Sequence, residues 1–253
     1  MYRVYRLTRN TFLEMLHERL FLVVIVLAIF LIALSFLLGA LSFDEQKKIL
    51  ADFGFLAIQI SGLGISLFSG AYMIHREIEK QTCLLMLARP VTRNQFFLGK
   101  FFGVLALNTL LLVALGLVLR VLLGFSFPWT SFGQILLSLW FESAVILAFV
   151  LAAAMMVRPV LALALGFCLF LWGHWLGDLA YFAKKMGSEL SIQLVQFLGW
   201  ISPNFHQMNW KSYFFLQNGV PTDSVMWMIL HCVGWIIVYL LMGQFLFRRK
   251  DIV

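Results

Sequence analysis

The sequence has too little charge to keep itself in water. Asp, Glu, Lys and Arg make up 12% of the residues and hydrophobic types 62%, where ordinary soluble domains carry roughly 25% charge. Cysteine is equally sparse. Of the 3 present, Cys168 and Cys232 fall inside apolar runs and Cys83 in the most charged loop. No pair is left for an external disulfide, and no spacing resembles a zinc site. Also missing is a phosphate-cradling loop of the form G-x-x-x-x-G-K-[ST]. The single Gly-Lys pair, Gly99-Lys100, is followed by Phe101, and Asn94 stands where the first glycine would be. A chain without that loop has no means of its own to hold ATP. No cofactor, metal or catalytic residue is expected on it.

What is abundant is uninterrupted apolar sequence. Residues 20–41, 53–74 and 224–247 contain no charge, and each exceeds the roughly 20 residues that cross a hydrocarbon core of about 30 Å. Residues 101–125 are broken only by Arg120 and 132–157 only by Glu142, while 159–177 is short and uncharged. Backbone groups in lipid must bond within their own segment, and the alternation of barrel strands is absent. The expectation is an all-α integral membrane protein with six transmembrane helices, forming one membrane domain over 1–253.

Lys and Arg set the orientation. In a six-span layout, Arg3, Arg6, Arg9, Arg19, Arg76, Lys80, Arg89, Arg93, Lys100, Arg158, Arg248, Arg249 and Lys250 share one side. The other side receives only Lys47, Lys48, Lys184, Lys185 and Lys211. Both termini are therefore expected in the cytoplasm. The net charge of +7 reports topology and anionic lipid headgroups rather than nucleic acid. Residues 1–19 do not form the short basic start of a signal peptide, and the first span is too long for one, so it is expected to remain as an anchor.

In "MYRVYRLTRNTFLEMLHERL", Tyr5, Phe12, Leu16 and Leu20 fall near one helical face, which predicts an amphipathic helix over 1–19 lying on the inner leaflet. In the second span, Gly62, Ser66 and Gly70 recur every four residues and form a smooth stripe for close helix packing, against a neighbouring span or a second copy. The external segment 178–223 is the longest. Leu190, Leu194, Phe197, Leu198 and Ile201 share a face there until Ser202-Pro203-Asn204 stops the helix, so short external helices are expected. Trp172, Trp175, Trp200, Trp210 and Trp227 cluster near that boundary as an aromatic belt would.

The loop 75–100 is the charged exception. Ile74, Ile78, Thr82 and Leu85 keep helical spacing, with Glu77, Glu79 and Lys80 projecting away from that stripe. Pro90 breaks the helix at Arg89. Thr92 and Gln95 then have capping-box spacing for the helix that becomes the third span. A plain connection needs only four to six residues, so this loop reads as a docking surface. Glu77, Glu79, Thr82, Leu84-Leu85, the "RPVTR" of Arg89 to Arg93 and Gly99-Lys100 resemble the cytoplasmic loop of type-2 ABC transporter permeases, the membrane subunits of export-type ABC systems. The order of elements resembles that family over nearly the whole chain.

The resemblance implies a coupling helix between spans two and three that fits a cleft on a separate ATPase subunit, with Glu77, Glu79, Thr82, Leu85, Arg89, Pro90 and Arg93 as coupling residues. It further implies ATP and Mg on that partner, a second identical or related permease copy, surrounding membrane lipids, and a bacterial inner membrane. Gln81 departs from the glycine that many relatives place before the threonine.

Two charges lie within spans. Glu142 is about ten residues into its helix, roughly 15 Å deep at 1.5 Å per residue. It should face protein or a water-filled cavity. Arg120 is expected either to snorkel outward or to lean toward Glu142. His174 and Asp178 share a face but are too few for a metal, and His231 is expected to bond a neighbouring helix. A secondary transporter would need broken helices and several midplane charges, and an intramembrane enzyme a cluster of acids, His or Cys. Neither pattern is visible.

Overall fold

A computed structural model of the chain describes residues 2–40, 46–79, 92–124, 128–211, 214 and 220–249. Its regular structure among these residues is entirely helical: α1 (Tyr2–Leu16), α2 (Arg19–Ala40), α3 (Gln46–Glu79), α4 (Arg93–Leu123), α5 (Trp129–Ala153), α6 (Pro159–Met186), α7 (Glu189–Ile201), a 3-10 turn (Phe205–Met208) and α8 (Thr222–Arg249). Six of these, α2 to α6 and α8, are long and apolar enough to cross a membrane.

Enclosure separates them into two classes. In α5, 78% of the apolar window is buried, against 17% in α2 and 22% in each of α6 and α8. The centre is therefore α3, α4 and α5, and the others form a rim. Leu22, Val26 and Phe30 of α2 and Ile237 and Leu241 of α8 are exposed on the bundle surface. A helix that is apolar all round is stable in that position only when lipid or another apolar chain covers it.

Small residues set the approach distances at the centre. Ser66 Oγ donates to the Ser143 carbonyl at 2.9 Å. A Cβ on Gly70 would meet Val150 Cγ1 at 3.1 Å, and one on Gly62 would meet Asn108 Oδ1 at 3.3 Å. The stripe of Gly62, Ser66 and Gly70 thus packs α3 onto α4 and α5 of the same chain.

Helix boundaries depart from the hydropathy runs where nothing breaks the helix. α3 starts at Gln46 and runs 34 residues, about 51 Å at 1.5 Å per residue, so it outreaches a hydrocarbon core. α6 continues past Gly177 to Met186 and stops at Gly187, whose φ of 68° is left-handed.

α1 forms as expected but turns a different face inward. Thr11 and Met15 are buried while Tyr5 is exposed. The reason lies on α4: a Cβ on Gly99 would come within 2.6 Å of Leu7 Cβ, and one on Gly103 within 2.5 Å of Thr11 Cβ. Two glycines four residues apart let α1 lie directly on α4. α1 and the ends of α4 and α8 share one end of the bundle, the near end; α7 and the 3-10 turn occupy the far end.

Candidate functional site

The near end is built around one buried ion pair with further charges at its edge. Lys100, on the second turn of α4, is 2% exposed and ion-paired with Glu77 of α3, itself nearly buried, and its Nζ also lies 3.3 Å from Glu14 Oε2 of α1. Arg76 pairs with Glu18, which follows α1. Glu77 therefore points into a junction of three helices, although its position on the sequence stripe had it projecting outward. A buried ammonium costs several kcal/mol unless opposed, and two carboxylates oppose it here.

The start of α4 is tied on its other side as well. Thr92 Oγ1 accepts from the Gln95 N–H and Gln95 Oε1 from the Thr92 N–H, each at 3.3 Å, completing the expected capping box. Arg93 Nη1 donates to the Phe247 and Arg248 carbonyls at 3.2 and 3.0 Å. Those carbonyls end α8, where the helix dipole favours a cation. Arg248 Nε donates back to Asn94 Oδ1 at 3.0 Å, and Phe96 stacks on Phe247 with centroids 5.9 Å apart. Thr82, Leu85, Arg89 and Pro90 lie outside the described residues. Of Glu79 only the backbone is described, as the last residue of α3.

The second polar cluster lies within the spans, toward the far end, and its hub is Gln59 of α3. Gln59 Nε2 donates to Glu142 Oε1 and Oε2 at 2.9 and 3.0 Å and lies 3.2 Å from His174 Nε2. His174 Nδ1 is 3.1 Å from the Phe170 carbonyl; donating there leaves Nε2 free to accept from the amide. Lys211, from the segment after the 3-10 turn, reaches in and donates from Nζ to Gln59 Oε1 at 2.6 Å. Burial pushes the Lys211 pKa below the ordinary lysine value of 10.5, while Glu142 and Asp52 pull it back up. Beside the hub, Asn108 Nδ2 donates to Ser143 Oγ at 2.6 Å. Gln134 clasps the Val220 backbone through two bonds of 3.1 and 3.2 Å. One amide thus joins α3, α5, α6 and the far-end segment.

Several expected arrangements resolve differently. Glu142 faces protein, as its depth requires, but its near neighbours are Gln59 and His174 rather than Arg120. Arg120 neither snorkels nor leans toward Glu142. It is buried, with its guanidinium 4.5 Å from the Trp129 ring centroid and 5.5 Å from that of Phe132, a cation–π site that the apolar surroundings strengthen. His231 Nε2 accepts from the backbone N–H of Asn204 at 3.3 Å, so its partner is the far-end segment and not a neighbouring helix. Trp210 is buried, away from any belt, while Trp175, Trp200 and Trp227 are exposed. Among the described residues no three His, Cys, Asp or Glu side chains gather as metal ligands would.

Neither Gln59 nor Lys211 was expected at a polar cluster. The signal for Gln59 was an uncharged amide in an otherwise apolar run, expensive there unless bonded. Lys211 carried none.

No curated protein matches this sequence. A family model described as ABC-2 family transporter protein matches residues 6–252, nearly the whole chain, and the six long apolar helices have the form of a multi-pass membrane subunit. The chain belongs to the ABC-2 family of transporter proteins and is a membrane permease of an ABC transporter.

Proposed function

We propose that the chain is the membrane subunit of an exporter that works as a pair, with itself or a related permease, and takes its energy from separate ATPase subunits docked on residues 75–100. ATP and Mg bind on those subunits, and the near end with both termini faces the cytoplasm of a bacterial inner membrane. The observation that carries this reading is the buried pair of Glu77 and Lys100, with the exposed Glu14 of α1 at its edge. A loop that only joined two spans would need no buried ion pair at its base. With α3 pinned to α4 and α1 at that point, a force on the helix end at Glu79 moves three helices as one body. Arg93 extends the linkage to α8.

In this mechanism the roles divide. Glu79, Thr82, Leu85, Arg89 and Pro90 belong to the docking loop and meet the partner. Glu77 acts from behind, holding the loop's base. Arg93 passes the motion to α8. Sign complementarity at such a surface decides partner choice more than raw affinity.

The test is co-purification from native membranes, with the captured ATPase identified by mass spectrometry and its ATP turnover measured. Glu79→Lys and Arg93→Glu are expected to reduce capture of the ATPase or uncouple its turnover from transport, and Glu189→Lys at the far end to do neither. Full capture and normal transport by both near-end variants would reduce 75–100 to a topology signal.

A further inference from the structure

The amide of Gln59 is held in one orientation by opposite charges. The Lys211 ammonium can only donate, so the atom 2.6 Å from it is the amide oxygen, and the Glu142 carboxylate takes the NH2 group at 2.9 and 3.0 Å. The NH2 hydrogen that remains points at His174 Nε2, 3.2 Å away. His174 Nδ1 lies 3.1 Å from the Phe170 carbonyl, which can only accept, so Nδ1 carries the ring's proton and Nε2 is a lone pair. The cluster is complete only while His174 is neutral: one carboxylate, one ammonium and an imidazole that accepts.

A second proton on the ring has no place in that arrangement. Nε2–H would face the amide N–H, donor against donor. The amide cannot turn over to offer its oxygen, because its NH2 would then meet the Lys211 ammonium. The nearest acceptor is Glu142 Oε1, 3.8 Å from Nε2, and a shift of about 1 Å makes that contact a charge-assisted hydrogen bond. Lys211 then loses the carboxylate that favours its charged form against burial, and two cations share one anion away from water. Of the two, Lys211 is the one able to leave, since it lies on the segment after the 3-10 turn, whereas His174 is fixed in α6.

The charged and titratable groups around the ring are Glu142 from α5, Lys211 and His206 from the far-end segment, and Asp178 one turn on in α6. Glu189 of α7 stands beyond the end of α6, past Gly187. α3 presents the neutral Gln59, with the exposed Asp52 on the same face about two turns nearer the start of that helix. The His174 side chain is 28% exposed and that of Glu142 5%, and the uncharged run 159–177 ends within a turn of the ring. His174 is thus the member of the pair that a proton reaches first.

We infer that His174 is a proton switch on the far-end segment: a proton taken from water at Nε2 draws Glu142 off Gln59, and Lys211 withdraws outward to Asp52, loosening residues 205–211 from the bundle. The switch involves neither nucleotide nor cargo, so it stands apart from the reading of residues 75–100.

Hydrogen exchange of the full chain in nanodiscs tests it, with each rate divided by the intrinsic rate at that pH so that only protection is compared. Protection of the Asn209 and Trp210 amides, bonded to the His206 and Met208 carbonyls, should fall about tenfold from about pH 8 to about pH 5, the size of one charge-assisted bond lost. The base of α4 should not change. His174→Gln keeps an acceptor for the amide but takes no proton, so protection should stay high at both pH values. Lys211→Met removes the cation to be expelled and should also abolish the response, while His206→Gln should retain it. Equal protection of the unaltered protein at both pH values overturns the proposal. So does a response that survives in Lys211→Met, or in His174→Gln, where Glu142 would be the group titrating, or one that disappears in His206→Gln.

Discussion

The near-end and far-end clusters answer the same problem, polar groups removed from water, in different ways. At the near end a buried Lys100 meets two carboxylates, Glu77 and Glu14, directly. At the far end Glu142 and Lys211 are joined through the neutral amide of Gln59. The direct pair of Lys100 and Glu77, both buried, is costly to separate. An amide bridge exchanges for water at a cost nearer that of one or two hydrogen bonds. The near end is therefore a fixed junction and the far end a latch that can open.

The largest effect should come from breaking the fixed junction from one side. Lys100→Met leaves Glu77 and Glu14 without their shared ammonium and should cost about 3–5 kcal/mol, read as a fall in melting temperature by fluorescence-detected gel filtration. Lys100→Met with Glu77→Leu should recover most of that loss, since the pair is then replaced by apolar packing. Failure to recover would show that Glu77 supports the fold through contacts other than Lys100.

Opening the latch should cost less. Gln59→Leu removes the amide that bridges Glu142 to Lys211 and should destabilise by about 1–3 kcal/mol. Its distinguishing mark is local: hydrogen exchange should rise over residues 205–211 and leave the base of α4 unchanged. If exchange rises equally at both ends, the two clusters are one cooperative unit and the contrast fails.

The latch should also respond to pH. Burial depresses the Lys211 pKa below 10.5, so the unfolded chain binds more protons than the folded one between the two values. Stability then rises with pH across that window, up to the ordinary lysine pKa. The slope of melting temperature against pH above neutrality should flatten in Lys211→Met, which isolates this contribution.

The smallest effect concerns how the junction begins. Thr92→Ala removes one half of the capping box and should cost about 1 kcal/mol, measurable as a small shift in melting temperature. Because Arg93 and Phe96 still tie α4 to α8, ATPase capture should survive it.

Much of the architecture was legible because it depends on local pattern. Six apolar runs are long enough to span, and a Thr92 with Gln95 three residues on starts a helix wherever it occurs. Gly62, Ser66 and Gly70 announced a close approach, though not against what. The same signal was present in Gly99 and Gly103, unread because they flank a charged residue, and it would have placed α1 on α4. Glu142 was recognised as a residue needing a partner, yet the nearest charge along the antiparallel pair, Arg120, had already found the faces of Trp129 and Phe132.

By itself the sequence determined that this is a helical membrane protein, where its spans lie, and that the loop between the second and third carries more charged residues than any other connection. Those properties follow from transfer free energies and helix period, which each segment carries whatever surrounds it. Only the tertiary structure decided that Glu77 turns inward to Lys100, that Lys211 reaches Gln59 across 152 positions of chain, and that His174 of α6 meets the same amide. Each of these rests on a side chain meeting a partner from a distant segment, and the depth, direction and desolvation of that meeting exist only once the helices have packed.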